Sequence, residues 1–497
     1  MEEIVRYITE EFIKNIINLQ TEFYNSSIDL ATFILRIRRE TDEIGSRYLV
    51  NLIQEIDNKI FTMHVRKRNW VVERKGDPRS LYTSLGAIRF FRTLYTSKTE
   101  LNDNGKPLQC YLVDKVLGLA PNQTMTADVR ANIYLEGVQT SYRKAGEIAC
   151  PEGVTKGTVQ NVLHAVRFPQ KIQVPMVKKV VENLYIEADE DHYHLQFKNK
   201  KGDLGKTENG YKNNGAISKL IYVHEGIEPE APKSKRNRLI NPHYFCRGDD
   251  QDNKDLWKEV FEYIDAFYDT SKIKHIYINS DGGGWIKTGY KGISGVIFVL
   301  DEFHLAKYIL KLTRHMQDSR EEANAEIYEC IRHKTKEDFL AIVERLKRCT
   351  DSEKVLKKIT EASEYISSNW TAAKYRLRRK EGVVSCSAEG HVYHVLSSRM
   401  STQAMGWSRH GGCQMARLRE YYCNGGDMLE LARYQQEEIP LVVGAEEVIL
   451  SATQMLRSEH LHRTKEAVEY GKYADVMRAS LSVQTSKKLE LYLHGKL

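Results

Sequence analysis

Four stretches of this chain set acidic side chains where metal-assisted phosphoryl chemistry would use them. Residues 275–285 read HIYINSDGGGW: Ile276, Tyr277 and Ile278 form a β-favouring apolar run, and Asp281 follows at its end. Gly282, Gly283 and Gly284 leave bare backbone beside that carboxylate, so a bulky polyanion could approach closely. The same residues also suit an ordinary strand-to-loop turn whose Asp caps the next segment. Upstream, Leu184, Tyr185 and Ile186 lead to Asp189; Glu187, Glu190 and Asp191 crowd the position, and Asp189 is favoured by its place just after the strand. Residues 295–300 (GVIFVL) form an apolar strand closed by Asp301, Glu302 and His304. In CSAEGHVYHVLSSRM, Glu389 follows Val383 and Val384 and is the natural third ligand. Acids gathered from separate strands can hold two hard cations ~3.5 to 4 Å apart, which activate the attacking oxygen and stabilise the leaving one.

Such acids need a sheet to gather them. Residues 184–186, 192–197 and 215–223 read as three strands, residues 255–268 as an amphipathic helix with Leu256, Val260, Phe261 and Ile264 on one face, and residues 276–278 as the next strand. That β, β, β, α, β order is what an RNase H-like core requires. Residues 305–380 are helical and highly charged and read as an insertion, with Trp370 and the basic cluster Lys374, Arg376, Arg378, Arg379 and Lys380 inside it; Arg399 lies beyond. Cys386, His391 and His394 lack an obvious fourth ligand for zinc. Neither GxSxG nor GxxxxGK[ST] occurs, so serine hydrolysis and P-loop nucleotide hydrolysis have no support.

Ahead of the core, Ile4, Ile8, Phe12, Ile16, Leu19 and Phe23, then Leu30, Phe33, Ile34 and Ile37, recur at helical spacing. Arg66, Lys67, Arg68, Arg74 and Lys75 surround Trp70, a pattern that suits a phosphate backbone or a solvated charged surface equally. Residues 86–95 and 107–117 read as a hairpin across Asn104-Gly105. Residues 141–148, the turn Cys150-Pro151-Glu152-Gly153 and residues 155–166 have a helix-turn-helix rhythm. Thr155 is its N-cap, and Lys156, Thr158, Gln160 and Asn161 lie where a recognition helix meets base edges. Helix pairs with such turns also occur in proteins that never touch DNA.

Taken in order, the motifs EADEDHYHLQ, INSDGGGWI, VLDEFHLAKYI and SAEGHVYHVLSSRM resemble those of the Lre-type bacterial insertion-sequence transposases, whose general plan is shared by Mutator-like transposases. The resemblance runs from the TSLGAIRFFRTLY hairpin to about Arg419. It implies an α/β fold: an RNase H-like mixed-sheet core interrupted by an all-helical insertion. The resulting boundaries are an N-terminal helical region (1–65), a β-hairpin element (66–120), a helix-turn-helix DNA-binding domain (121–170), the core in two parts (180–304 and 383–430), the insertion (305–382) and a C-terminal region (431–497). Asp189, Asp281 and Glu389 would be the metal-binding triad for Mg²⁺, with Mn²⁺ substituting. Asp301 and His304 match an acid-x-x-His element beside it.

The activity implied is cleavage and strand transfer at the ends of a DNA element. Double-stranded DNA, as terminal inverted repeats and target, would be the partner, and Lys374, Arg376, Arg378, Arg379 and Arg399 would join the helix-turn-helix in contacting it. The expected assembly is a dimer or larger on DNA. A DNA-binding regulator with a degenerate core, or an RNase H-like nuclease without strand transfer, are the alternatives. Lys+Arg number 74 against 67 Asp+Glu, a net +7 that suits a polyanion without identifying one. The eight cysteines form no CxxC pair, no apolar run approaches ~20 residues, and the start MEEIVRYITEEF is acidic, so a cytoplasmic protein without a membrane partner is expected.

Overall fold

The computed structural model describes residues 2–169, 174–197, 214–248, 252–290, 295–379, 382–403, 405–436 and 454. The chain is mixed α/β and divides into two compact units, one from residues 1–129, 150–153 and 436–497, the other from residues 130–149 and 154–435. Lys380 and the apolar Leu441, Val442 and Val443 lie outside the described residues.

In the first unit, α1 (Glu2–Tyr7), α2 (Ile13–Tyr24), α3 (Leu30–Thr62) and α4 (His64–Asn69) precede an antiparallel sheet of β1 (Trp70–Thr83), β2 (Gly86–Leu101) and β3 (Pro107–Cys110), and α5 (Leu112–Val116) comes next. Asp29 caps the 33-residue α3 by accepting from Thr32 N–H at 2.9 Å. Ile53, Ile56 and Ile60 of that helix pack with Trp70, Phe90 and Tyr95. The basic stretch around Trp70 is therefore the start of a sheet: Trp70 is wholly buried, Arg66 donates to the carbonyls of Ile60, Phe61 and Trp70, and Arg74 pairs with Asp77 at 2.6 Å. The hairpin turn falls at Asn104-Gly105 as expected, with Gly105 at φ 69°. Its second strand is shorter than the sequence suggests, because Leu112, Val113 and Asp114 are buried as a helix, where Asp114 pairs with Arg79 and Arg92.

The second unit takes α6 (Ala127–Gly137) from Arg130 onward, then α7 (Tyr142–Ala149) and α8 (Lys156–His164). Thr155 caps α8, accepting from Thr158 N–H at 3.2 Å. Gly146 lets α7 approach the chain entering α8, since a Cβ there would meet the Val154 carbonyl oxygen at 2.3 Å.

The main sheet has five strands, β4 (Asn183–His194), β5 (Gly215–His224), β8 (His243–Arg247), β9 (His275–Ser280) and β10 (Val296–Leu300), in the order β10-β9-β4-β5-β8. The small pair β6 (Ile227–Pro229) and β7 (Asn237–Leu239) stands apart. β4, β5 and β8 are antiparallel neighbours, while β9 and β10 run parallel to β4. The two expected strands at 184–186 and 192–197 are one, β4, so Asp189 lies inside a strand rather than at its end. Ten paired positions with β5 carry β4 past Asp189, a continuity that charged residues in mid-strand concealed. β8 supplies the third strand, unread in the sequence because a polar loop precedes it.

Strand alternation sorts the side chains. Even positions Ile186, Ala188 and Ile278 pack with Leu256, Trp257 and Val260 of α9 (Asn253–Phe267). Odd positions Tyr185, Tyr277 and Val299 meet Tyr375, Val383 and Val384 on the other face. After β9 comes α10 (Gly284–Tyr290), and after β10 the helices α11 (Glu302–Thr313), α12 (Arg320–His333), α13 (Lys336–Lys347), α14 (Glu353–Ser368) and α15 (Trp370–Arg378) form a helical body around Ile309, Ile327, Phe339, Ile359 and Ile366. Beyond them lie α16 (Ala388–Val392), a π-helical turn (Tyr393–Ser397), α17 (Ser398–Met400), α18 (Arg409–Cys423) and α19 (Met428–Tyr434). The eight cysteines are free thiols, and among the described residues no helix is long and apolar enough to cross a membrane.

The α7–α8 contact makes a paired prediction. Gly146→Ala collides with backbone and should cost about 1–3 kcal/mol. Gly157→Ala, whose Cβ would find its nearest neighbour at 3.8 Å, should be neutral or stabilise by up to about 1 kcal/mol. Urea unfolding followed by circular dichroism reads both; equal midpoints for the two variants would refute the contact.

Candidate carboxylate site

Register places the acids. β4 and β9 pair up to Glu187 with Asn279 and Ala188 with Ser280, and β9 pairs with β10 up to Ser280 with Leu300. The next position on each strand is Asp189, Asp281 and Asp301, so three aspartates succeed one another across three adjacent strands on the odd-numbered face. The row beneath is tied together, Asn279 Nδ2 donating to Glu187 Oε1 at 3.3 Å.

Each aspartate is held differently. Asp281 Oδ1 accepts from Gly283 N–H at 2.8 Å, and its carbonyl accepts from the Tyr365 hydroxyl of α14 at 2.6 Å. Gly282 has φ +82° and a Cβ there would lie 2.8 Å from Asn369 Oδ1, so both conformation and space call for glycine. Asp189 Oδ1 accepts from Glu190 N–H at 2.8 Å. Burial pushes the Asp189 carboxyl up to about 7 against that hydrogen bond, helped by the charges of Asp281 and Glu389 and opposed by His304. Glu389, in the first turn of α16, thus lies within the electrostatic reach of Asp189.

Asp301 serves as a helix cap. It accepts from Phe303 N–H at 3.4 Å and His304 N–H at 3.2 Å, and His304 Nδ1 lies 2.8 Å from Asp301 Oδ2. That contact raises the His304 pKa against partial burial, with the charges of Asp301, Asp281 and Asp189 adding to it. Asp301 therefore acts through His304, and His304 is a partner of opposite sign in the field of Asp189.

Among the described residues no three His, Cys, Asp or Glu side chains stand close enough to grip a single ion. The donor set is nonetheless that of a hard cation: carboxylate oxygens only, mutually repelling strongly enough to help raise one of their own.

The residues expected to touch DNA separate into two groups. Lys156, Gln160 and Asn161 are exposed on α8, while Thr158 is half-buried with its hydroxyl 2.9 Å from that of Thr155. Arg378 and Arg379 are exposed, Arg378 donating to the Arg332 carbonyl and Arg379 pairing with Glu302 at 3.4 Å; Lys374 is half-buried and donates to the Lys334 carbonyl. Arg376 and Arg399 correct the expectation. Arg376 is 3% exposed and donates to Leu300 O, Val384 O and Asn279 Oδ1; Arg399 is 2% exposed and donates to Gly137 O at 2.8 Å. Burial lowers Arg399 to about 10. Both guanidiniums hold backbone together and present nothing to a nucleic acid. Sequence reading missed Tyr365 and Asn369, which lie in the helical insertion with no motif around them. It also passed over Glu187 and Asp191, whose spacing of two from Asp189 was the available signal of a shared strand face.

The raised Asp189 carboxyl has a consequence for the metal-free protein. The folded state binds its proton more tightly than the unfolded chain, so this stability is present below about pH 4 and is lost as pH rises toward about 7. Melting temperature should fall from pH 5 to pH 7.5 in the wild type and fall less in Asp189→Asn, whose neutral amide has no proton to lose; identical pH profiles would refute the assignment.

Comparisons with known proteins agree on kinship. The model of an uncharacterised protein family, UPF0236, matches residues 24–437. A UPF0236 protein of Caldanaerobacter subterraneus subsp. tengcongensis is 35% identical over 430 residues, covering 86% of this chain and 81% of the relative. Another from that organism, whose single protein name joins eleven designations, is 36% identical over 430 residues, covering 86% and 85%. Among solved structures, the Drosophila P element transposase strand transfer complex overlaps 64% of this chain and 82% of that one at 11% identity, with a TM-score of only 0.23.

Proposed function

The chain belongs to the UPF0236 family, and we propose that it is a metal-dependent DNA transposase of the Lre type, cleaving and joining DNA strands at the ends of an insertion sequence. The observation that carries this reading is the pairing of β4 with β9, which sets Asp189 and Asp281 side by side with Glu389 and His304 in the same field. An RNase H-like core is supported by the strand plan: three consecutive antiparallel strands, a helix, then two strands laid parallel to the first. A relative carrying eleven designations under one name in one organism fits a gene that copies itself.

Asp189, Asp281 and Glu389 would hold Mg²⁺ or Mn²⁺, which when bound supplies activation of the attacking oxygen and neutralisation of the phosphoryl charge. The chain's own contribution is positional. Gly283 and Tyr365 fix the backbone and carboxylate of Asp281, so its oxygens are preset before substrate arrives. Gly284, exposed and with nothing within 4 Å of an added Cβ, offers bare backbone close to Asp281 where a phosphodiester can approach. His304, oriented by Asp301, places a cation or a transferable proton beside the carboxylates, where a leaving 3′-oxygen would need one. Lys156, Gln160 and Asn161, exposed on α8, are the groups for reading duplex DNA, with Arg378 and Arg379 for its phosphates. Paired DNA ends imply at least a dimer on DNA, in the bacterial cytoplasm.

The test is a strand-transfer assay with Mn²⁺ on DNA carrying the sequences that flank the gene. Wild type should give joined products, and Asp281→Asn and Glu389→Gln should lose at least about 10²-fold in rate while still binding DNA. Lys156→Ala with Gln160→Ala should weaken DNA binding instead. Nicks without joined ends would make it a nuclease, and binding without cleavage a regulator.

A further inference from the structure

We propose that Glu187 and Asp191 are positioning residues that hold the Glu389 segment across Asp189; this rests on reading Asp189, Asp281 and Glu389 as one cation site. β4 presents three carboxylates on one face at intervals of two, Glu187, Asp189 and Asp191. The outer two are engaged by the same later stretch of chain. Glu187, with no exposed surface, accepts from Ser387 N–H at 2.8 Å, from Ser387 Oγ at 3.0 Å and from the Tyr222 hydroxyl. Asp191, 8% exposed, accepts from Ser397 Oγ at 2.9 Å and Ser401 Oγ at 3.0 Å through one oxygen.

Ser387 is the N-cap residue of α16, and Ser397 and Ser401 lie either side of α17. The two anchors therefore bracket Glu389, and Asp189 lies between them on the strand. Such bracketing is needed because α16 is five residues long and passes directly into a π-helical turn, too short a helix to hold its own attitude. A buried carboxylate is a costly way to fill space, and an apolar side chain of the same size would pack with less desolvation. What the charge adds is strength and direction in the bond to the Ser387 amide. His224 Nε2 at 3.5 Å, the Tyr222 hydroxyl and the Ser387 amide surround the Glu187 carboxylate, so it is placed as an acceptor. Asp189, between these two on the strand, feels the charges of Asp281 and Glu389.

The experiment is Mn²⁺ titration calorimetry on the full chain, with melting temperatures recorded in parallel. Asp281→Asn tests the site itself: if it leaves Mn²⁺ affinity unchanged, the cation reading fails and the positioning role with it. If Asp281→Asn weakens binding, Glu187→Gln and Asp191→Asn should each weaken it about 10-fold, the scale on which outer partners act on metal ligands. A double-mutant cycle separates positioning from general damage. In a Glu389→Gln background, Glu187→Gln should cause no further loss, because there is no carboxylate left to position. Wild-type affinity in both anchor variants, or full additivity with Glu389→Gln, would overturn the proposal. Should Glu187→Gln fail to fold, Ser387→Ala removes one of the two Ser387 donors, is expected to weaken Mn²⁺ binding several-fold, and is subject to the same cycle.

Discussion

Like charges on adjacent strands repel, and the register of β4 with β9 brings Asp189 and Asp281 to neighbouring positions, one step past its last pair. A sheet whose even-numbered face is packed apolar against α9 cannot slip to relieve that repulsion, because a one-residue shift would turn Ile186, Ala188 and Ile278 out of their core. Apolar burial on one face thus enforces electrostatic strain on the other. Burial raises the Asp189 carboxyl, with the charges of Asp281 and Glu389 adding to it, and the Asp301 contact raises His304. Gathering acids in a buried row costs stability that the apolar face of the sheet must offset.

The helical body after β10 is tied into this arrangement rather than appended to it. Tyr365 reaches the Asp281 carbonyl, Asn369 closes over Gly282, and Arg376 binds the last carbonyl of β10, the Asn279 side chain and the Val384 carbonyl. Arg376 shows why a basic residue in a cluster of its kind can be structural. Its guanidinium offers several directed donors, and here they satisfy carbonyls that a buried chain crossing would otherwise leave unpaired.

Much of this was legible in the residues, for identifiable reasons. β9 and β10 are apolar runs ended by an acid, so strand and acid were read together. The helix pair α7–α8 was announced by Thr155 and the turn at Cys150–Gly153. What was not legible has a common cause: side chains whose surroundings come from distant chain. Asp189 reads as a strand end because Asp, Glu and His come directly after it, yet pairing with β5 carries the strand onward. Trp70 with its basic neighbours reads equally as a phosphate-binding or a solvated charged surface, yet the tryptophan is the start of a buried strand. Arg376 and Arg399 carry nothing in their local sequence to distinguish them from exposed Arg378 and Arg379. Cooperation between acids is likewise a property of register, which no single stretch contains.

The two anchors of the Glu389 segment also set the order in which this unit can be completed. Glu187 and Ser387 are 200 residues apart in the chain, and Asp191 and Ser397 are 206. The strands β4, β5, β8, β9 and β10 can pair, and the helical body can condense on its own apolar centre, while the far partner is still unmade on the ribosome or undocked. Contacts of such sequence separation pay their closure entropy before they stabilise anything, which slows folding. The row of acids is therefore completed only when a segment 200 residues further along the chain docks on β4. A growing chain can lay down these strands and the helical body before the two contacts bring the segment that carries Glu389 onto β4.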